Sequence, residues 1–171
     1  LGSSSSAIAA GIELADHFGK LGLSDEEKVQ IGARIEGHPD NIAPTILGGL
    51  VVGTEVDQHF DAIKAPLPPY TLVAYVPDYN LATKDARKVL PKELDFKTAT
   101  HGSAIANTLV ASLFTQNYKM AGELMESDVF HEPYREKLVP ELNQIREVAH
   151  QKHAVATYLS GAGSTVMTWI E

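Results

Sequence analysis

An α+β fold in two domains is predicted by three observations. Helical periodicity dominates the stretch from Ser3 to Gly48. A proline-rich break, Ala65-Pro66-Leu67-Pro68-Pro69, then interrupts regular structure, because proline lacks the backbone donor that helices and central strands need. Beyond it the patterns run strand, helices, strand, loop, strand, the order expected of helices layered on a sheet. The break sets the domains at 1–64 and 70–171.

The elements follow in chain order. A first helix is predicted from Ser3 to about Phe18, with Ile8, Ile12, Ala15 and Phe18 on one face and Gly11 its one interruption. A second is capped by Ser24 and carries Asp25, Glu26 and Glu27 in its first turn, where the helix dipole favours anions. A third starts near Asp40 and stops at Gly48-Gly49. Leu50 to Val52 and Val56 to Phe60 read as the strands of a hairpin. After the break, Tyr70 to Val76 has a buried-strand pattern, and helices are predicted around Thr83 to Leu90 and from about Thr100 to Asn117, the latter with Ile105, Leu109 and Leu113 at four-residue spacing. Leu138, Leu142, Ile145 and Ala149 mark another amphipathic helix. A strand, Ala154 to Leu159, feeds a glycine loop, and Val166 to Glu171 reads as an apolar strand.

Composition narrows the function classes. The 171 residues suffice for one large or two small cores. Shares of 44% apolar and 21% charged residues are ordinary for a globular protein. With no cysteine, a disulfide framework and a thiolate zinc site are excluded. No apolar run approaches the roughly 20 residues that span a bilayer, so no membrane partner is expected. A net charge of −8 argues against nucleic acid, whose binding rests on Lys and Arg neutralising phosphates. Any phosphate must therefore be bound locally.

One segment is built for that. Leu1-Gly2-Ser3-Ser4-Ser5-Ser6-Ala7 runs straight into the first helix. The first amides of a helix lack intrahelical partners and carry the positive end of the dipole, so an anion is a natural ligand there. Gly2 admits close approach of the backbone, and small hydroxyls add donors without filling the space. Downstream come Glu36-Gly37-His38-Pro39-Asp40-Asn41-Ile42-Ala43-Pro44, Ala82-Thr83-Lys84-Asp85-Ala86-Arg87-Lys88-Val89-Leu90-Pro91, Glu132-Pro133-Tyr134-Arg135-Glu136-Lys137-Leu138-Val139-Pro140 and Leu159-Ser160-Gly161-Ala162-Gly163-Ser164-Thr165-Val166. In this order, and over almost the whole chain, these segments resemble the GHMP small-molecule kinases and, within them, the homoserine kinase family.

The resemblance implies the GHMP kinase fold, with part of a ribosomal-protein-S5-domain-2-like N-terminal domain followed by a ferredoxin-like α/β sandwich. It implies a cytoplasmic enzyme, homodimeric at full length, that uses ATP and Mg2+ to phosphorylate L-homoserine in threonine biosynthesis. Leu1, Gly2, Ser3, Ser4, Ser5 and Ser6 would bind the nucleotide phosphates. Ser4 and Glu36 would hold the metal, the alternative for Ser4 being a helix-capping hydroxyl. His38, Asn41, Arg87, Arg135, Gly161 and Gly163 would meet the substrate, and Thr83 either the substrate or the γ-phosphate. Asn41 and Thr83 are the catalytic candidates. Asparagine accepts no proton at neutral pH, so transfer would rest on orientation and on stabilising the moving phosphoryl group. Asp40 is the alternative base, or else a helix cap. Two arginines suit an amino-acid carboxylate, which a guanidinium grips with paired hydrogen bonds.

Two departures stand out. Ser164 occupies a position where proline is usual, which would loosen the last loop. The family's phosphate loop also begins several residues before Leu1, so truncation at both ends is expected, with part of the nucleotide pocket missing. The Ile8, Ile12 and Phe18 face of the first helix would then be exposed. The alternatives are another GHMP kinase, of the mevalonate type, or a non-catalytic GHMP-like binding protein.

Overall fold

The computed structural model describes residues 2–171; Leu1, a predicted phosphate contact, lies outside them. The chain divides into two compact units between Leu67 and Pro68.

In the first unit, α1 (Ser3–Gly19), α2 (Asp25–Glu36) and α3 (Ile42–Leu47) precede a hairpin of β1 (Leu50–Val56) and β2 (His59–Ala65). Ser24 caps α2 as predicted: its hydroxyl accepts from the Glu27 amide, and the Glu27 carboxylate accepts from the Ser24 amide at 2.8 Å. Gly37, at φ 82°, ends α2 in a left-handed turn that favours glycine. The hairpin turns at Asp57-Gln58, both at positive φ, which moves the second strand later than the predicted Val56 to Phe60. Only Asp57-Gln58 supplies the two left-handed residues a tight turn needs, and the apolar pattern alone did not mark them. Ala33, Ile42 and Phe60 form the core, with Ile8, Ala9 and Ile46 against it. Ile12 is buried as well, so the predicted exposed face of α1 is in fact mostly packed; Phe18, 77% exposed, is the part that stays out. Beside the core the Gln30 amide clamps β2, donating to the Phe60 carbonyl while its Oε1 accepts from the Phe60 amide at 3.2 Å.

In the second unit a sheet of β3 (Thr71–Tyr75), β4 (Ala156–Leu159) and β5 (Val166–Ile170) is antiparallel throughout, in the order β3-β5-β4. Between β3 and β4 come α4 (Thr83–Lys88), α5 (Phe96–Phe114), α6 (Tyr118–Met125), α7 (Glu132–Arg135), a 3-10 turn (Glu136–Leu138) and α8 (Leu142–Gln151). The predicted buried strand at Tyr70 to Val76 is instead an edge strand whose residues are exposed, Leu72 at 55%. Its apolar composition could not reveal which strand would stand at the edge. The helix predicted from Thr100 begins earlier, because Asp95 caps it through the Thr98 amide at 3.0 Å. It also ends earlier, at Phe114, and a second helix, α6, restarts beyond a left-handed Gln116, capped by Asn117. Leu138 lies in the 3-10 turn rather than in α8. The core joins Val139, Leu142, Leu159 and Val166, with Leu81, Leu138 and Ile145 packed against it.

The outer edge of β4 is closed by side chains. Glu126 Oε1 accepts from the Thr157 amide at 2.6 Å, Arg146 Nε donates to the Thr157 carbonyl at 3.0 Å, and Glu132 Oε2 accepts from the Leu159 amide at 2.8 Å. Three side chains thus do what a neighbouring strand would do for an otherwise open edge. Close packing sets α6 against the residue before β4: a Cβ on Gly122 would stand 2.1 Å from the Val155 carbonyl oxygen. Since the obstacle is backbone, Gly122→Ala is expected to destabilise the second unit by about 1–3 kcal/mol, measurable by urea unfolding.

Candidate active site

The first unit supplies an uncapped helix N-terminus with a carboxylate beside it. Gly2, at φ 62°, turns the chain into α1, and no side chain caps the helix, so its first amides remain open to a ligand. The Ser6 hydroxyl returns to the Gly2 carbonyl at 2.9 Å. Ser4 and Ser5 instead reach the last residue of α2: their hydroxyls donate to Glu36 Oε1 at 2.9 and 2.6 Å. Ser4 is therefore not a helix cap, and the two predicted metal residues, Ser4 and Glu36, are brought together although 32 positions apart. Glu36 Oε2 is buried and has no hydrogen-bond partner.

That orphaned oxygen is what a cation would need. Burying one carboxylate oxygen without a partner is costly. A carboxylate and a phosphate at the same helix end would also repel each other unless a cation lay between them. Magnesium takes oxygen ligands and keeps several waters, so one carboxylate, a hydroxyl and phosphate oxygens suffice. No group of three or more His, Cys, Asp or Glu arranged for a metal occurs among the described residues.

After Gly37 the chain passes His38, half-buried with Nδ1 buried and unpartnered, and Pro39, packed over Gly53 of β1. Asn41 begins α3, but its side chain caps nothing; it is exposed, and only its carbonyl is engaged, by Thr45. Asp40 is exposed too. The asparagine amide is thus free to hydrogen-bond a ligand.

In the second unit Thr83 is the exposed first residue of α4, and Arg87 projects, exposed, from its last turn. The approach to α4 is anchored by Tyr79, whose hydroxyl donates to Glu141 Oε2 at 2.8 Å; burial, reinforced by that carboxylate, pushes its phenol up to about 12. Arg135, by contrast, is 8% exposed. Its Nε donates to the Ala86 carbonyl at 3.2 Å and its Nη1 to the Gly161 carbonyl at 2.9 Å. Burial lowers its pKa, and the neighbouring Arg87 cation acts in the same direction against the attraction of Asp128. Gly161 and Gly163 both hold positive φ in the loop between β4 and β5, and Gly163 sits tightly against Leu81, Val139 and Leu159. Arg87, Arg135 and Gly161 are thus one constellation, linked through Arg135.

Glu132 and Asp128 were not singled out by sequence as working residues. Glu132 ties α7 to Arg146 and to Leu159, where the glycine loop starts. Asp128 caps α7, accepting from the amides of Phe130, His131 and Glu132. Partial burial works to raise its pKa, but those three amides outweigh it and hold the carboxyl below its ordinary 3.8. The signal available was an acid placed before a Pro-containing helical turn.

Comparison with known proteins adds relatives to this geometry. Residues 1–49 match the GHMP kinases N terminal domain, and residues 109–171 match the family described as GHMP kinases C terminal. A homoserine kinase of Limosilactobacillus fermentum is 62% identical over all 171 residues, and one of Lactobacillus gasseri 57%. The chain spans 60% of the length of each. A crystal structure of homoserine kinase from Cytophaga hutchinsonii aligns with a TM-score of 0.86 at 27% identity, over 99% of this chain and 55% of that one. No helix among the described residues is long and apolar enough to cross a membrane.

Proposed function

The chain belongs to the GHMP kinases, and from that premise we propose that the protein containing it transfers the γ-phosphoryl group of ATP to the side-chain hydroxyl of L-homoserine. The hydroxyl oxygen forms the new bond to phosphorus, the bond to the departing ADP breaks, and the hydroxyl proton is released. The observation that carries the kinase reading is the Ser4–Glu36 pair at the open N-terminus of α1, with Glu36 Oε2 buried and unpartnered. The substrate reading rests on the relatives and on an exposed arginine suited to a free carboxylate.

In this reading the backbone from Gly2 to Ser6 binds the phosphates through open helix-end amides. Ser4 and Glu36 hold Mg2+, which when bound neutralises phosphate charge as it shifts toward the leaving group. Asn41 and His38 orient the substrate by hydrogen bonds, and Thr83 offers a further hydroxyl to substrate or γ-phosphate. No carboxylate base is required: phosphoryl transfer depends mainly on alignment and charge stabilisation. Arg87 holds the carboxylate. The resemblance gives that role to Arg135 as well: two of its five N–H donors meet backbone carbonyls and the others are available to a carboxylate.

The full-length protein, assayed with ATP, magnesium and a panel of alcohols, is expected to phosphorylate L-homoserine and not mevalonate. Arg87→Ala should raise the KM for homoserine about 10- to 100-fold, the effect of losing hydrogen bonds to a charged group, and leave that for ATP nearly unchanged. Equal effects on both substrates would overturn the assignment.

A further inference from the structure

We propose that Lys28 is a positioning residue, which with Glu13 and Asp16 holds α1 and α2 in the register that brings Ser4 and Ser5 onto Glu36. Its consequence for metal binding rests on the reading of the site given above. The two helices run antiparallel, and polar groups join them at two levels. At the site, the Ser4 and Ser5 hydroxyls donate to Glu36 Oε1 at 2.9 and 2.6 Å. Away from it, Lys28 Nζ, on a side chain only 11% exposed, donates to Glu13 Oε1 and Oε2, each at 2.9 Å, and lies 3.2 Å from Asp16 Oδ2. Asp16 Oδ1 accepts from the Leu23 amide at 3.1 Å, which ties down the connection between the helices as well. Ser5 to Glu13 and Lys28 to Glu36 each span eight residues, about 12 Å of helix, so the two joints are matched rungs.

Between the rungs the contact is apolar. A Cβ on Gly32 would stand 3.4 Å from Ile12 Cδ1, and Ile8 and Ala9 lie against a core that includes Ala33. Such contact is non-directional and sets register weakly. A slip of one residue would move the serines about 1.5 Å along α2. A misplacement of about 1 Å in an active site can cost about 100-fold in rate. The serine rung cannot guard against this alone, because Ser4 and Glu36 are the groups that Mg2+ would claim. The lysine rung is made only of groups outside that site. The Leu23 amide, and after it Lys28, holds the Asp16 carboxyl below its ordinary 3.8 despite partial burial. Hydrogen bonds to Glu13 and Asp16 hold the Lys28 ammonium above its ordinary 10.5, so the rung stays charged at neutral pH.

The test uses the full-length enzyme. Lys28→Met should raise the magnesium concentration for half-maximal rate about tenfold and lower kcat/KM for MgATP about tenfold, with the KM for homoserine nearly unchanged. Lys28→Arg, whose guanidinium can meet both carboxylates, should return both values to within about twofold of wild type. In a Glu36→Gln background the Lys28→Met change should cost less than about twofold more, because two residues acting through one contact are not additive. Without any ligand, amide exchange at Ser6 and Gly37, hydrogen-bonded to Gly2 and Ala33 beside the serine rung, should speed up about tenfold in Lys28→Met. With Glu36→Gln impaired as expected, an equal loss in both backgrounds or an unchanged magnesium requirement would overturn the proposal, as would unchanged exchange. Should Lys28→Met not fold, Asp16→Asn, which keeps an acceptor for the Leu23 amide and loses the charge facing Lys28, carries the same readouts. If Glu36→Gln alone left activity intact, the metal assignment would fail, and the exchange result, which needs no metal, would still decide whether Lys28 sets the register.

Discussion

Glu36→Gln in the full-length enzyme should lower kcat/KM for MgATP about 100-fold, the scale on which removing one placed electrostatic group acts, and raising magnesium should recover part of it. The accompanying stability change separates this from general damage. In the wild type the Glu36 carboxylate has one oxygen satisfied by two serine hydroxyls and the other buried without a partner. A neutral amide costs less to bury than an unpaired carboxylate. It can still accept from Ser4 and Ser5 through its oxygen. Thermal stability without ligands should therefore hold or rise while activity falls. Unchanged activity would reduce Glu36 to a carboxylate at a helix end. A parallel fall in melting temperature would mean that its role is to pin α1 to α2.

The second large effect concerns stability. Glu132→Ala is expected to destabilise the second unit by about 3–5 kcal/mol, the usual consequence of removing one member of a buried ion pair. Glu132 is 6% exposed, its Oε1 lies 2.5 Å from Arg146 Nη2, and its Oε2 accepts the Leu159 amide. Alanine would leave the buried Leu159 amide without an acceptor and the part-buried Arg146 guanidinium with Glu126 as its remaining counter-charge. Urea denaturation followed by the fluorescence of Trp169, on the central strand β5, reads this unit directly. A change below about 1 kcal/mol would show that water replaces the carboxylate and that the β4 edge needs no closing. Arg146→Met in the same background should recover little, because the unpaired Leu159 amide would remain.

Local chemistry made much of this chain legible before any coordinates. Ser24, with three acidic residues after it, announces a helix start because a cap and the dipole both act within the first turn. Gly48 announces a helix end because left-handed backbone favours glycine. The serine run could be read as a phosphate site for the same reason: the amides concerned belong to consecutive residues. The kinase family, too, was legible from short segments in a fixed order. What the sequence left open depended on residues far apart. No local pattern distinguishes an edge strand from a central one, so the apolar run at Thr71–Tyr75 read as buried although it stands at the sheet edge. The restart at Tyr118 was hidden because the turn before it has ordinary composition, with Gln116 and not glycine at positive φ. Glu36 meeting Ser4 and Ser5, and Arg135 spanning Ala86 and Gly161, are contacts that only folding creates. Sequence by itself determined which residues were fit for phosphate, metal and carboxylate, since fitness is a property of each side chain. Tertiary structure alone decided that Arg135 is buried against two backbone carbonyls while Arg87 stands exposed, because burial and backbone partners exist only once distant segments are packed together.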